Sequence, residues 1–238
     1  MASGCLLARV LPALEEIRLG IAQLGALRER PAGTIRISAD EYALHSVLQP
    51  AIARFLPAYP EIRIEVTTDY GLTDIVSCSF DAGVRRAGLV ARDMVAVPIG
   101  PEIPLAVVAT PTYFERHGQP ARPPDLVTHN CLNLRLPNGE FLPWSFVREG
   151  KEQRVKVGGS LVFSSVAPIR DAALAGLGLA YLPRDYVGDA IVSGQLVEVL
   201  GDWRKVFEGY HLYYANRSHA SAAFTLFAQA LRLGHIPE

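Results

Sequence analysis

The chain has 238 residues, 50% of them apolar, and 23 basic against 24 acidic side chains leave a formal net charge of −1. That length accommodates one large domain or two small ones with real cores, which sets aside disorder. No stretch approaches the roughly 18 uninterrupted apolar residues of a membrane-spanning helix, and the balanced charge supplies no basic face with which this chain would itself grip nucleic acid.

The first thirty residues differ in kind from the rest. Leu7, Val10, Leu14, Ile17, Ile21 and Leu24 recur at alternating spacings of three and four, the a and d seam of a helix that wants a partner or its own domain to cover it. Pro31-Ala32-Gly33 ends the segment. Thr34-Ile35-Arg36-Ile37-Ser38 then alternates with period two, Tyr42 to Tyr59 carries apolar residues at helical spacing, and Glu61 to Thr67 alternates again. Strand, helix, strand over this length is a βαβ unit with parallel strands. Phe80 to Val84 reads as a third strand, and the Pro- and Gly-containing stretch Val95 to Pro101 as a crossing between two subdomains.

A second series follows. Pro104 to Ala109 reads as a strand with Thr110-Pro111 as the start of a helix, then a Pro-rich loop from Gly118 to Asp125. Short strands are expected near 131–135, 144–148, 154–157 and 161–163, a helix over 167–175, and strands at 179–182, 196–200 and 210–214. A last helix is expected over 218–232. The economical reading is two α/β lobes joined by short crossings.

Signals for catalysis are weak. Gly176-Leu177-Gly178 begins like a dinucleotide fingerprint but lacks the third glycine and follows a helix rather than a strand. The three cysteines, Cys5, Cys78 and Cys131, fit neither a disulfide framework nor a zinc spacing, which favours a reducing compartment and a cytoplasmic setting. Ala2-Ser3-Gly4-Cys5 looks like a lipoprotein box without the charged and apolar segments such a signal needs upstream. His129 beside Cys131 has no third group to complete a nucleophilic arrangement. No cofactor or metal is called for, and a binding protein is expected rather than an enzyme.

Polar residues do recur at the carboxyl ends of the expected strands: Ser38 to Tyr42, Thr67 to Asp69 and Arg85 in the first lobe, Arg135 and Ser164-Ser165 in the second. Ligands of open α/β sheets bind beyond such ends, where helix N-termini offer unpaired N–H groups. Arg85 and Arg135 add planar forks suited to a carboxylate.

The sequence resembles the effector-binding region of the LysR-type transcriptional regulators over nearly its whole length. The segments that carry this are Pro31 to Ile37 after an apolar helix, Leu48-Gln49-Pro50 with Phe55 to Ile62, Phe80 to Arg85, Met94 to Gly100, Ala109 to Tyr113, Pro124-Asp125-Leu126 with His129-Asn130-Cys131, and Ala175 to Ala180. The resemblance implies two Rossmann-like lobes of the type 2 periplasmic-binding-protein fold, preceded by a linker helix. The expected division is 1–30 for the linker and dimerisation helix, 33–98 with 207–238 for one lobe, and 99–206 for the other. It also implies a homodimer or homotetramer, a small-molecule effector, and DNA contact only through a winged helix-turn-helix, since this chain begins at the linker helix. Carried over residue by residue, the effector cleft falls on Asp40, Glu41 and Tyr42, on Thr68, on Arg85, and on Arg135, Ser164 and Ser165. Family members that bind carboxylates often place Ser or Thr in the first of these loops. Asp40 and Glu41 depart from that, leaving a cationic, neutral or hydroxylated effector open. A free-standing solute-binding protein serving a transporter is the alternative on the same fold.

Overall fold

The computed structural model describes residues 31–71, 75, 78–86, 94–215 and 221–233. The apolar seam Leu7, Val10, Leu14, Ile17, Ile21 and Leu24 lies outside the described residues.

Strand β1 (Gly33–Ala39) buries Ile35 and Ile37 completely while Thr34 and Arg36 stay partly exposed, as its alternation predicts. Asp40 follows it as an N-cap, its carboxylate accepting from the Ala43 N–H at 2.8 Å. The chain then runs helically through α1 (41–55), whose middle turn, Leu44–Leu48, is a π turn. Pro50 lies just beyond that turn and has no N–H to give an unbroken α-helix. Strand β2 (Ile62–Thr68) returns parallel to β1, from Gly33 opposite Ile62 to Ala39 opposite Thr68. The βαβ unit expected from the sequence is therefore formed.

Strand β3 (Ala82–Arg86) is parallel to β1 and starts two residues later than the sequence suggests, because Asp81 is held as a strand lead-in. Its carboxylate accepts from the Arg36 N–H and its own N–H donates to the Arg36 carbonyl, both at 2.8 Å. Strand β4 (Met94–Pro98) completes this sheet together with a strand from far along the chain, β13 (Tyr210–Ala215), in the order β2-β1-β3-β13-β4. Helix α5 (Ala222–Leu233) packs on α1, with Phe227 edge-on to Phe55 at a centroid distance of 5.1 Å.

The second sheet is built on β5 (Ile103–Ala109), buried along almost its whole length, as a strand covered on both faces must be. Thr110 caps the short helix α2 (Pro111–His117) through a bond from the Tyr113 N–H at 3.2 Å. After β6 (Cys131–Leu134) come β7 (Trp144–Arg148) and β8 (Lys151–Val155), an antiparallel hairpin turned by Glu149 and Gly150, both at positive φ. That hairpin is where the strand expected at 154–157 actually lies. Strand β9 (Val162–Phe163), helix α3 (Val166–Leu174), strand β10 (Leu179–Pro183), helix α4 (Gly188–Val192) and strand β11 (Val197–Val199) follow. The sheet order is β11-β5-β10-β6-β9, with β12 (Val206–Phe207) pairing on β5. The Gly176 and Gly178 pair serves this packing. Gly176 takes φ +75° after α3, and a Cβ on Gly178 would lie 2.4 Å from the Asn130 carbonyl.

Two crossings join the sheets, and they run side by side. The Ile99 N–H donates to the Tyr210 carbonyl at 2.9 Å, and Gly209 lies against Gly100 so closely that a Cβ there would sit 2.1 Å from the Gly100 carbonyl oxygen. Among the described residues no helix is long and apolar enough to cross a membrane.

Candidate functional site between the two sheets

A cavity of about 70 Å³ opens between the two sheets. Asp40, Tyr42, Tyr70, Arg86 and Tyr210 line it from the first; Leu134, Leu136, Val166, Tyr181 and Phe207 are among those lining it from the second. Its walls are mostly aliphatic and aromatic carbon, the usual make-up of a small-molecule site in which a few polar groups set orientation.

The loop after β1 does most to join the halves. Asp40 is buried at the cavity wall, where its Oδ1 accepts from both the Ala43 N–H and the Tyr210 hydroxyl at 2.8 Å. Burial pushes its carboxyl above the ordinary value in spite of these two bonds and the nearby guanidinium of Arg86. Glu41, next in sequence, reaches across to the N-terminus of α3. Its Oε2 accepts from the Val166 N–H at 2.9 Å and the Ala167 N–H at 3.3 Å, and from the Tyr70 hydroxyl at 3.3 Å. Tyr42 makes a second crossing, donating to Asp185 Oδ1 at 2.5 Å. Burial, reinforced by Asp185 for Tyr42 and by Asp40 and Glu41 for Tyr70, raises both phenols well above their ordinary value, so both remain protonated donors.

The other expected site residues lie elsewhere. Arg85 is inside β3, not beyond it, and only 2% exposed. Its guanidinium is committed to the Ser38 hydroxyl at 2.8 Å, the Val84 carbonyl at 2.9 Å and the Gly71 carbonyl at 3.0 Å. A fork so engaged braces the first sheet and does not line the cavity. Thr68 is exposed at the end of the edge strand β2. Arg135 is exposed too, its Nη1 donating to the Gly139 carbonyl at 3.1 Å and its guanidinium lying 4.8 Å from the Phe141 ring centre. Ser164 is exposed, and Ser165 holds the N-cap position of α3 with no side-chain capping bond, because Glu41 caps that helix from the other lobe. None of Thr68, Arg85, Arg135, Ser164 and Ser165 lines the cavity.

Arg86, passed over in the sequence, is the cationic group that does. Adjacent strand residues point to opposite faces, so where Arg85 turns into the first sheet's own packing, Arg86 turns toward the cavity. It is half-buried, stacks on Phe207 of β12 at 4.4 Å, and its guanidinium has no hydrogen bond or ion pair among the described residues. Tyr181 and Tyr210 were missed as well. Tyr181 stacks on Trp144 and donates to the Ser145 carbonyl at 2.5 Å, so it offers the cavity a ring face rather than a hydroxyl.

No nucleophile emerges at Cys131. Its buried thiol donates to the Leu126 carbonyl at 3.7 Å, and burial pushes it up to about 12, whereas His129 bonds the Tyr113 hydroxyl at 3.4 Å.

The model of the LysR substrate binding domain matches residues 28–234, and the chain belongs to that family, the LysR-type transcriptional regulators, not to enzymes. It is 46% identical over 222 residues to the HTH-type transcriptional regulator PgrR of Escherichia coli K12, covering 93% of this chain and 74% of that protein. It is 45% identical over 219 residues to a putative transcriptional regulator of Pseudomonas aeruginosa, covering 92% of this chain and 72% of the relative. A full-length variant of AphB superposes with a TM-score of 0.82 at 26% identity, over 98% of this chain and 77% of that one. The regulatory domain of CrgA from Neisseria meningitidis shares the fold, with a TM-score of 0.74 at 22% identity over 85% of this chain and 98% of that one. The chain is thus the effector-binding domain of a LysR-type regulator, with the fold of the type 2 periplasmic-binding proteins.

Proposed function

We propose that a small-molecule metabolite binds in the cavity between the two sheets and biases how the lobes sit against each other, passing that bias to attached DNA-binding heads in a cytoplasmic dimer or tetramer. The observation that carries this reading is a cavity walled by both sheets and containing a guanidinium with no hydrogen bond or ion pair of its own among the described residues. For the switch to be allosteric the ligand must favour one lobe arrangement by a real free energy, typically about 1–3 kcal/mol. Glu41 and Tyr42 supply contacts that exist only while the lobes are together. We take the lobes as 33–98 with 207–238 and as 99–206, a division supported by sheet membership on either side of the paired crossings except at Phe207, which pairs with β5 of the second sheet.

A thermal-shift screen of metabolites against the chain tests the cavity, since a ligand that binds only the folded state raises apparent stability. Ligands found in this way lose their effect in Leu136→Trp, which fills the cavity; hits that survive that substitution would place the site elsewhere. The assembly rests on the seam over residues 7–24, and Ile17→Asp lowers the association state in sedimentation; an unchanged assembly would remove the seam from the interface.

A further inference from the structure

The cavity carries two charged side chains of opposite sign, and neither is used up. Both hydrogen bonds to Asp40 converge on Oδ1, from Ala43 and from Tyr210. Its Oδ2 accepts nothing among the described residues. Arg86, across the same space, is held over Phe207 by its cation–π contact and donates no hydrogen bond among the described residues. The two groups feel each other's field without forming an ion pair. The remaining polar groups around them are committed: the hydroxyls of Tyr42, Tyr181 and Tyr210 donate to Asp185, Ser145 and Asp40, and Tyr70 donates to Glu41. What the cavity presents to an incoming molecule is therefore one cationic fork, one free carboxylate oxygen, and apolar walls.

Leaving such groups half-desolvated and unpaired is unfavourable, and the unfavourable term disappears when a ligand supplies the missing partners. Resting on the reading that this cavity is the effector site, we infer that its ligand is a small zwitterion on a short aliphatic frame. Its carboxylate is taken by the Arg86 fork and its ammonium by Asp40 Oδ2. Size limits the frame. At about 70 Å³ the cavity is small, and it is open at its mouth, so a short aliphatic frame suits its apolar walls. The upward push on Asp40 agrees with this, because burial with no cation in direct contact makes its charged form costly in spite of the fields of Arg86 and Arg85, and an ammonium bound to it opposes that cost.

Four probes on one carbon frame separate the contributions: valine, 3-methylbutanoate, which lacks the amine, 2-methylpropylamine, which lacks the carboxylate, and 2-methylpropanol, which lacks both. Titration calorimetry on the whole chain is expected to give valine at least tenfold tighter binding than 3-methylbutanoate, with the amine and the alcohol weaker still. Arg86→Met keeps the apolar stem over Phe207 and is expected to weaken valine and 3-methylbutanoate tenfold or more. Asp40→Asn keeps an N-cap and an acceptor for Tyr210, and is expected to erase the advantage of valine over 3-methylbutanoate while leaving the latter unchanged.

The inference is overturned if no probe binds the unaltered chain, if the acid alone binds as well as valine, or if Arg86→Met leaves valine binding intact. A different ligand from the metabolite screen that is lost in Leu136→Trp would show that the cavity still serves as the effector site. The inference about zwitterions would then fail alone.

Discussion

The Glu41 carboxylate caps the N-terminus of a helix in the opposite lobe, its Oε2 lying 2.9 Å from the backbone N–H of Val166. The first N–H groups of a helix have no partner within it, and the helix dipole makes that end attractive to negative charge. Ser165 stands at the cap position and makes no capping bond, so the charge comes from across the cleft. A side chain of the first lobe thus occupies the place at α3 that an anionic ligand would find attractive. Charge on the effector is better sought at Arg86 than there.

This contact should behave as a latch. Glu41→Gln keeps the size and one acceptor oxygen but removes the charge, and is expected to weaken lobe closure by about 1–2 kcal/mol, the range for a carboxylate at a partly buried helix N-terminus. Small-angle scattering checks it directly: the radius of gyration of the variant should exceed that of the unaltered chain, and the difference should shrink when a cavity ligand is added. Identical scattering profiles would mean that Tyr42 and the crossings hold the lobes without help from Glu41.

Arg85 and Arg86 are neighbours of the same type with opposite duties, and their variants should separate cleanly. Arg85→Met strips hydrogen bonds from Ser38, Gly71 and Val84 in a nearly sealed part of the first sheet. Removing one side of such a network leaves buried acceptors unsatisfied, at about 3 kcal/mol. Urea unfolding should show that loss in Arg85→Met and change by less than about 1 kcal/mol in Arg86→Met, whose guanidinium has no bond to lose among the described residues. Equal losses would contradict the division of labour.

This pair also shows how far the sequence could be read. Alternation in β1 and β2 and the helical spacing between them are local signals, so the βαβ unit was legible, and with it the loop Asp40 to Tyr42 at the end of β1. Period two says that Arg85 and Arg86 face opposite ways. It does not say which face meets the other lobe, because that depends on β13 entering the sheet beside β3 from more than a hundred residues away. Tyr210 and Phe207 come to the cavity by the same long return, and Tyr181 by the packing of β10 next to β5. Arg135 and Ser164 sit near strand ends as expected, but a position at a strand end fixes height along the sheet, not the direction of the side chain.

Backbone contact at the crossings sets a further expectation. A Cβ on Gly209 would stand 2.1 Å from the Gly100 carbonyl oxygen and 2.5 Å from that of Pro101. Neither is a side chain that could swing aside. Gly209→Ala must push the two crossings apart, disturbing the bond from Ile99 to Tyr210 at the point where both sheets are tied together. A loss of about 2 kcal/mol or more is expected, at the upper part of what overpacking does. Hydrogen exchange should show the added opening at residues 99–102 and 208–210 first. Protection unchanged there would mean that the crossings can yield without loss.

Asp40 gives stability a pH dependence whose sign can be worked out. Its folded carboxyl titrates above the ordinary value of 3.8, mainly because burial penalises the charge. Between the unfolded and the folded value the native state therefore holds more protons than the unfolded chain, so this group's contribution falls as pH rises through that window. Below the unfolded value the contribution is fully present; above the folded value it has been lost. Asp40→Asn keeps the cap and the bond from Tyr210 but cannot ionise, so its unfolding free energy lacks this downward slope. Urea midpoints taken from pH 4 upward should show the variant gaining on the unaltered chain until the curves run parallel, the pH of that levelling marking the folded value. Curves parallel throughout would mean that the Ala43 and Tyr210 bonds, with the field of Arg86, fully offset burial.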